Sequence, residues 1–331
     1  MAVLFSAQTR DAYQGYDDAH YVNAWHGWCQ ELALANVPYD VLLDADLTAS
    51  RLRRYRALLL PNAACLSERQ MEAIERFVRD GGTLVATHET SRYDETGSPR
   101  RNLGLASVLG VRCRGILTPR PASIALREEA PVGGIGSGEV STMEAVARVE
   151  AAPGARVLAT TDTGSPTIVL NRVGRGRALY FAEKVGSGCY HGGVARGQAW
   201  KETRSATHRQ LVRDTVAWAV RGELPLRVEA PPGVIVTLFR KRGRPQWILH
   251  LLNAQAAVPT AGRTIPEVYE VPYPALPPIS VTLPGVRARR AALVSPDFAS
   301  TRRVAARRSS KGTVVSVPAG TFTRYAILRV E

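Results

Sequence analysis

The chain has 331 residues, 45% of them hydrophobic, and a net charge of +14; it is long for one ordinary domain and comfortable for two cores. No apolar run of about 18 residues occurs, which excludes a membrane-spanning helix, and the opening MAVLFSAQTRD lacks the basic and long apolar regions of a signal peptide. The positive charge raises nucleic acid as a partner. It is carried almost wholly by arginines spread along the chain, with small clusters at 51–54, 240–244 and 302–308 and no aromatic interleaving, so a solvated surface is the preferred reading and nucleic acid is disfavoured.

The first two-thirds alternate strand and helix signals. Residues 2–6 form a short apolar run of the kind a buried parallel strand needs. Residues 21–36 repeat apolar positions at helical spacing until Asn36-Val37-Pro38 stops them. Strand 39–43 follows, then a short helix over 47–55 with Thr48 as N-cap, then strand 56–61. Ser67 and Gln70 spell a capping box that opens a helix running to Asp80, and Gly81-Gly82 ends it before strand 83–87. Such alternation predicts a parallel sheet with helices on both faces.

A short helix is expected over 103–110, and from Cys113 to Val149 the pattern weakens into an excursion or a mobile loop. The glycines of GGIGSG (133–138) follow no strong strand and precede no strong helix, so they do not read as a dinucleotide loop. Strands resume at 156–160, 167–171 and 177–181, the last two joined as a hairpin through Gly174-Arg175-Gly176. Residues 208–220 form a strongly amphipathic helix, and Arg221-Gly222-Glu223-Leu224-Pro225 marks the expected domain boundary, giving 1–222 and 223–331. Beyond it VIVTLFRKRGRPQWILHLLN, ISVTLP, ARRAALVSP, GTVVSVP and TRYAILRV predict an all-β sandwich.

The phrases LLLPNAACLSERQ, FVRDGGTLVATHETS, RYDETG…RNLGLASVLGV and RALYFAEKVGSG…HRQLVRDTVAWAV follow one another at sensible distances. In this order they resemble the beta-galactosidase trimerisation domain, the flavodoxin-like middle module of glycoside hydrolase family 42 enzymes. The resemblance covers most of 1–222 and extends more loosely over 223–331. It implies subunit assembly, as a homo-oligomer with a trimer in view or with a glycosidase TIM-barrel subunit, and carbohydrate as a partner. The catalytic barrel precedes this module in those enzymes; here the chain opens on the module's first strand, so no catalytic residue is carried over. The fold is also similar to the class I glutamine amidotransferase scaffold, which holds a cysteine nucleophile on the turn after strand four. In this chain that turn reads Thr87-His88-Glu89-Thr90-Ser91, with no cysteine.

Polar residues still fall at the carboxyl ends of the predicted strands, where open α/β sheets bind ligands. Asn62 and Cys65 follow the third strand, His88, Glu89 and Ser91 the fourth, and Glu183 a later one, with His191 beyond it in GSGCYHGG. Two constellations can be drawn, Cys65–His191–Glu183 and Ser91–His88. Against them stand a buried Cys65, His88 and Glu89 fixing loop amides and pointing to opposite sides of an extended segment, and Glu183 paired with Lys184 or an arginine. Tyr93-Asp94-Glu95 reads as solvated loop charge rather than a glycosidase pair, and Trp25 and Trp28 as core rather than a sugar platform. The four cysteines, Cys29, Cys65, Cys113 and Cys189, have no metal-ligand spacing, so no metal or other cofactor is expected and the location is read as the reducing cytoplasm. Three functions remain in order: a non-catalytic assembly module in carbohydrate metabolism, an amidotransferase-like small-molecule hydrolase, and a polyanion-binding protein.

Overall fold

The computed structural model describes residues 1–13, 18–117, 123–126, 139–141, 146–190, 206–222, 224–255 and 273–331. They fall into two compact units, one of Met1–Glu31 with the described residues of 39–222, the other of Leu32–Pro38 with the described residues of 224–331. Glu223, at the predicted boundary, and the GGIGSG stretch lie outside the described residues.

The first unit runs β1 (Ala2–Phe5), α1 (Ala7–Ala12), α2 (Asp18–Leu34), β2 (Asp40–Leu43), α3 (Ala49–Leu52), β3 (Ala57–Leu60), α4 (Glu68–Arg79), β4 (Thr83–Thr87) and α5 (Ala106–Leu109). It continues through β5 (Val111–Leu117), β6 (Ser123–Leu126), β7 (Glu139–Ser141), β8 (Val146–Ala151), β9 (Arg156–Thr161), β10 (Pro166–Val173), β11 (Gly176–Phe181) and α6 (Ala206–Ala219). Nine strands form one sheet in the order β2-β1-β3-β4-β11-β10-β9-β6-β7. The first five are mutually parallel and the remaining pairings antiparallel. With β11 as the fifth strand, the parallel half has the flavodoxin-like order 2-1-3-4-5, whose switch point lies between β1 and β3.

Burial on both faces explains the uninterrupted apolar strands. Leu4, Leu58, Leu60 and Leu84 share one cluster with Ile74, Phe77 and Val78 of α4. The alternate residues Val3, Leu59, Val85 and Leu179 are buried on the opposite face, where the Phe5 ring meets Trp25 of α2 edge-on at 5.1 Å. Trp28 is fully buried, in keeping with its core reading. The Ser67–Gln70 capping box forms as the sequence predicts. Gly27 of α2 approaches the turn at 185–189 so closely that a Cβ on it would stand 1.7 Å from the Gly186 carbonyl oxygen, which leaves room there only for glycine.

The weakly patterned 113–149 region contains more structure than its sequence signals. β5 and β8 pair as an antiparallel ribbon, while β6 and β7 extend the main sheet. The six-residue α1 also has no counterpart in the sequence reading. No helix among the described residues is long and apolar enough to cross a membrane.

The second unit consists of β12 (Arg227–Glu229), β13 (Val234–Arg240), β14 (Trp247–Asn253), β15 (Ile279–Pro284), β16 (Ala291–Val294), β17 (Arg302–Ser309), β18 (Gly312–Val317) and β19 (Tyr325–Val330). All neighbours are antiparallel, in the order β12-β15-β18-β17-β16-β19-β14-β13. β17 belongs to two sheets: Arg302–Val304 pair with β16, and Ala305–Ser309 pair with β18. It is the corner at which one sheet turns onto the other. Inward residues such as Leu249, Leu251, Val281, Val315 and Leu328 form the sandwich core.

Candidate functional site at the carboxyl edge of the parallel sheet

Where β1 ends, Ser6 caps α1: its Oγ accepts the Thr9 amide at 3.0 Å, and its own amide donates to the Tyr21 hydroxyl at 2.5 Å. Thr9 Oγ1 in turn accepts the Cys65 amide at 3.1 Å, tying the loop after β3 to the start of α1. One turn later α1 ends and presents Tyr13. Its hydroxyl donates to Glu89 Oε2, and Tyr93 donates to Glu89 Oε1 at 3.4 Å, the two phenol rings meeting edge-on at 5.4 Å.

The backbone beneath this cluster is unusual. Asn62, His88 and Ser91 all have positive φ, at 47°, 50° and 65°. Asparagine tolerates that conformation, but each of the others stores about 1–3 kcal/mol that the surroundings must offset. They do so with hydrogen bonds. Asn62 donates its amide to Thr87 Oγ1 (2.8 Å) and accepts the Glu89 amide on Oδ1 (3.1 Å). The His88 amide donates to Phe181 O (2.7 Å), and its carbonyl accepts the Tyr180 hydroxyl (2.6 Å). Ser91 Oγ donates to Thr90 O (2.5 Å) and accepts the Leu105 amide (2.9 Å).

Asn62, Cys65, His88 and Glu89 are thus gathered at the ends of β3 and β4, as the sequence predicts, and all four are buried. Three details differ. The segment from His88 to Ser91 is a tight turn rather than an extended one, so alternation of side chains does not govern it. Ser91 spends its hydroxyl on the turn itself and is not set up as a nucleophile with His88. Glu183 faces His208 of α6, with Oε2 3.5 Å from Nε2, in place of Lys184 or an arginine. His191 lies outside the described residues. Asp94 caps its own turn, its Oδ1 accepting the Thr96 and Ser98 amides at 2.9 Å.

The electrostatics follow from burial. Desolvation, then the charge of Glu89, pushes the Tyr13 phenol upward, with the Asn62 amide opposing; the same two causes raise Tyr93 to about 12. Both phenols therefore remain donors to the carboxylate. Burial, reinforced by Asp94 and Asp44, raises the Cys65 thiol to about 11. Among the described residues no three His, Cys, Asp or Glu side chains gather as metal ligands. The arrangement can hold a carboxylate and receive hydrogen bonds; a thiol so raised is a poor nucleophile at neutral pH. Sequence reasoning missed Tyr13 and Thr9. Their one local signal was the Ser6 cap, and their role depends on contacts 76 and 56 residues away.

The profile of the beta-galactosidase trimerisation domain family matches residues 1–201. Solved structures with the same fold include the beta-galactosidase from Bacillus circulans sp. alkalophilus (19% identity, TM-score 0.64, covering 100% of this chain and 41% of that one). The beta-galactosidase from Rahnella sp. R3 is similar at 19% identity and TM-score 0.63, covering 96% of this chain and 40% of that one. The alpha-L-fucosidase isoenzyme 2 from Paenibacillus thiaminolyticus matches at 16% identity and TM-score 0.70, covering 100% and 48%. The chain spans less than half the length of each. A search of functionally curated sequences returns no match.

Proposed function

From the premise that this chain belongs to the beta-galactosidase trimerisation domain family, we propose that it is a non-catalytic assembly module of glycoside hydrolysis. It would associate with further copies of itself, as a trimer, or with a glycosidase barrel, in the cytoplasm, its domains being 1–222 and 223–331. The observation that carries this reading is the state of the carboxyl edge. Both oxygens of Glu89 are occupied by phenol hydroxyls, and the neighbouring thiol is buried and raised to about 11. A side chain tied in this way supports a platform better than a reaction centre. The likeness of the whole chain to a portion of larger glycosidases supports the same view, and its four buried cysteines, none in a disulfide, suit a reducing compartment.

The test is light scattering on the purified chain, alone and mixed with a glycosidase barrel, alongside turnover assays on nitrophenyl galactoside and fucoside. A stable oligomer without turnover is expected. A monomer that ignores the barrel, or turnover that disappears in Glu89→Gln, overturns the proposal.

A further inference from the structure

Among its described residues the second unit gathers four arginines and a single glutamate around one hollow. Ala292 of β16 stands directly opposite Arg303 of β17 on one side and Arg329 of β19 on the other. Cross-strand partners share a face, so the two arginines flank a residue too small to separate them. Arg289 and Arg290 lie just before β16 and complete the lining of a cavity of about 390 Å3. Glu331 is the acidic residue of that lining, and its Oε1 already accepts a hydrogen bond from the Gln246 amide.

Among the described residues none of these four guanidiniums makes an ion pair or a side-chain hydrogen bond, and Nε of Arg329 is buried without an acceptor. Elsewhere arginines of this chain find acids, as Arg79 does with Glu75 and Arg100 with Glu68. Four like charges around one hollow repel one another, and a buried guanidinium N–H without an acceptor costs more than an exposed one. Both penalties are relieved by an anion with several oxygens. Guanidinium forks match tetrahedral oxyanions, whose oxygens several arginines can share. The volume exceeds what a bare oxyanion fills and falls in the range of small-molecule sites.

We propose that the cavity among Arg289, Arg290, Arg303 and Arg329 is a binding site for a small phosphate or sulfate monoester. The site lies within the β-sandwich unit and is independent of the assembly reading.

Calorimetric titration of the full chain with galactose 6-phosphate, galactose 6-sulfate and neutral galactose tests it. At least one ester binds and galactose does not, the preferred ester identifying the anion. Arg303→Ala and Arg329→Ala each weaken that binding by about tenfold or more. Arg329→Lys keeps the charge without the fork and loses part of the affinity, covering the case in which the alanine variant does not fold. Arg244→Ala, in the exposed turn between β13 and β14, changes nothing. The proposal is overturned if neither ester gives a signal, or if Arg244→Ala costs as much as Arg329→Ala. It is equally overturned if a short single-stranded DNA binds while the esters do not, since diffuse surface charge would then suffice.

Discussion

The thiol of Cys65 separates an assembly platform from a hydrolase. Its side chain is fully buried, its amide is held by Thr9 Oγ1, and its pKa rises from 9.0 to about 11, chiefly through desolvation and then through Asp94 and Asp44, with Arg100 pulling the other way. A rise of two units lowers the thiolate fraction at neutral pH by about 100-fold, before any steric protection is counted. Iodoacetamide labelling followed by peptide mass mapping reads this directly. At neutral pH Cys65 should be alkylated at least about 100-fold more slowly in the folded chain than in urea, with the rate climbing about tenfold per pH unit until the thiol titrates. Labelling at neutral pH as fast as in the unfolded chain would refute the reasoning. If it also abolished hydrolysis of an amide or ester, a cysteine nucleophile would replace the platform.

Glu31 of α2 is 1% exposed and holds Arg209 at 3.0 Å and Arg213 at 2.5 Å, both on α6. Glu31→Gln should cost about 2 kcal/mol in urea melts, less than a fully buried pair because both guanidiniums reach solvent, whereas Arg79→Ala at an exposed pair should cost under about 0.5 kcal/mol; equal losses would remove Glu31 as the helix clamp. Burial raises the Cys29 thiol from 9.0 to about 12, against the pull of Tyr39. A raised acid leaves stability intact below pH 9 and removes it as pH climbs toward 12, by about 1 kcal/mol per unit. Cys29→Ala should flatten that alkaline decline, and an unchanged slope would assign it to another group.

Much of the first unit was legible because its strands need no partner to declare themselves. ALLL of β3 and TLVAT of β4 are buried on both faces, so they read as apolar runs, and the Ser67–Gln70 box is a purely local device. β17 was not legible. Its RRVAARRS crosses from one sheet to the other, so no single alternation of polar and apolar residues spans it, and its arginines look like a basic cluster. The candidate site divides the same way. Asn62 and Glu89 were visible because strand ends are fixed by the strands. Tyr13 was not, because its hydroxyl reaches a carboxylate 76 residues away after a helix too short to leave a periodic trace. The pairing of Glu183 with His208 likewise needed the path of α6 across the sheet.

These positions also explain why the two polar regions invite different chemistry. At the carboxyl edge the charge of Glu89 is met from within the fold by phenols whose raised pKa values keep them donating, and the strained turns at His88 and Ser91 are locked by hydrogen bonds between side-chain hydroxyls and the main chain. A ligand reaching Glu89 would have to break bonds already made, each worth about 1 kcal/mol net and more once buried. On the sandwich the balance differs: four guanidiniums line a hollow, and the buried Nε of Arg329 has no acceptor. A ligand there displaces water from the exposed Arg289, Arg290 and Arg303 and gives the buried Nε of Arg329 an acceptor. The β-sandwich unit therefore offers four clustered cations for recognition, whereas at the sheet edge the one carboxylate of the phenol cluster, Glu89, is already satisfied from within the fold.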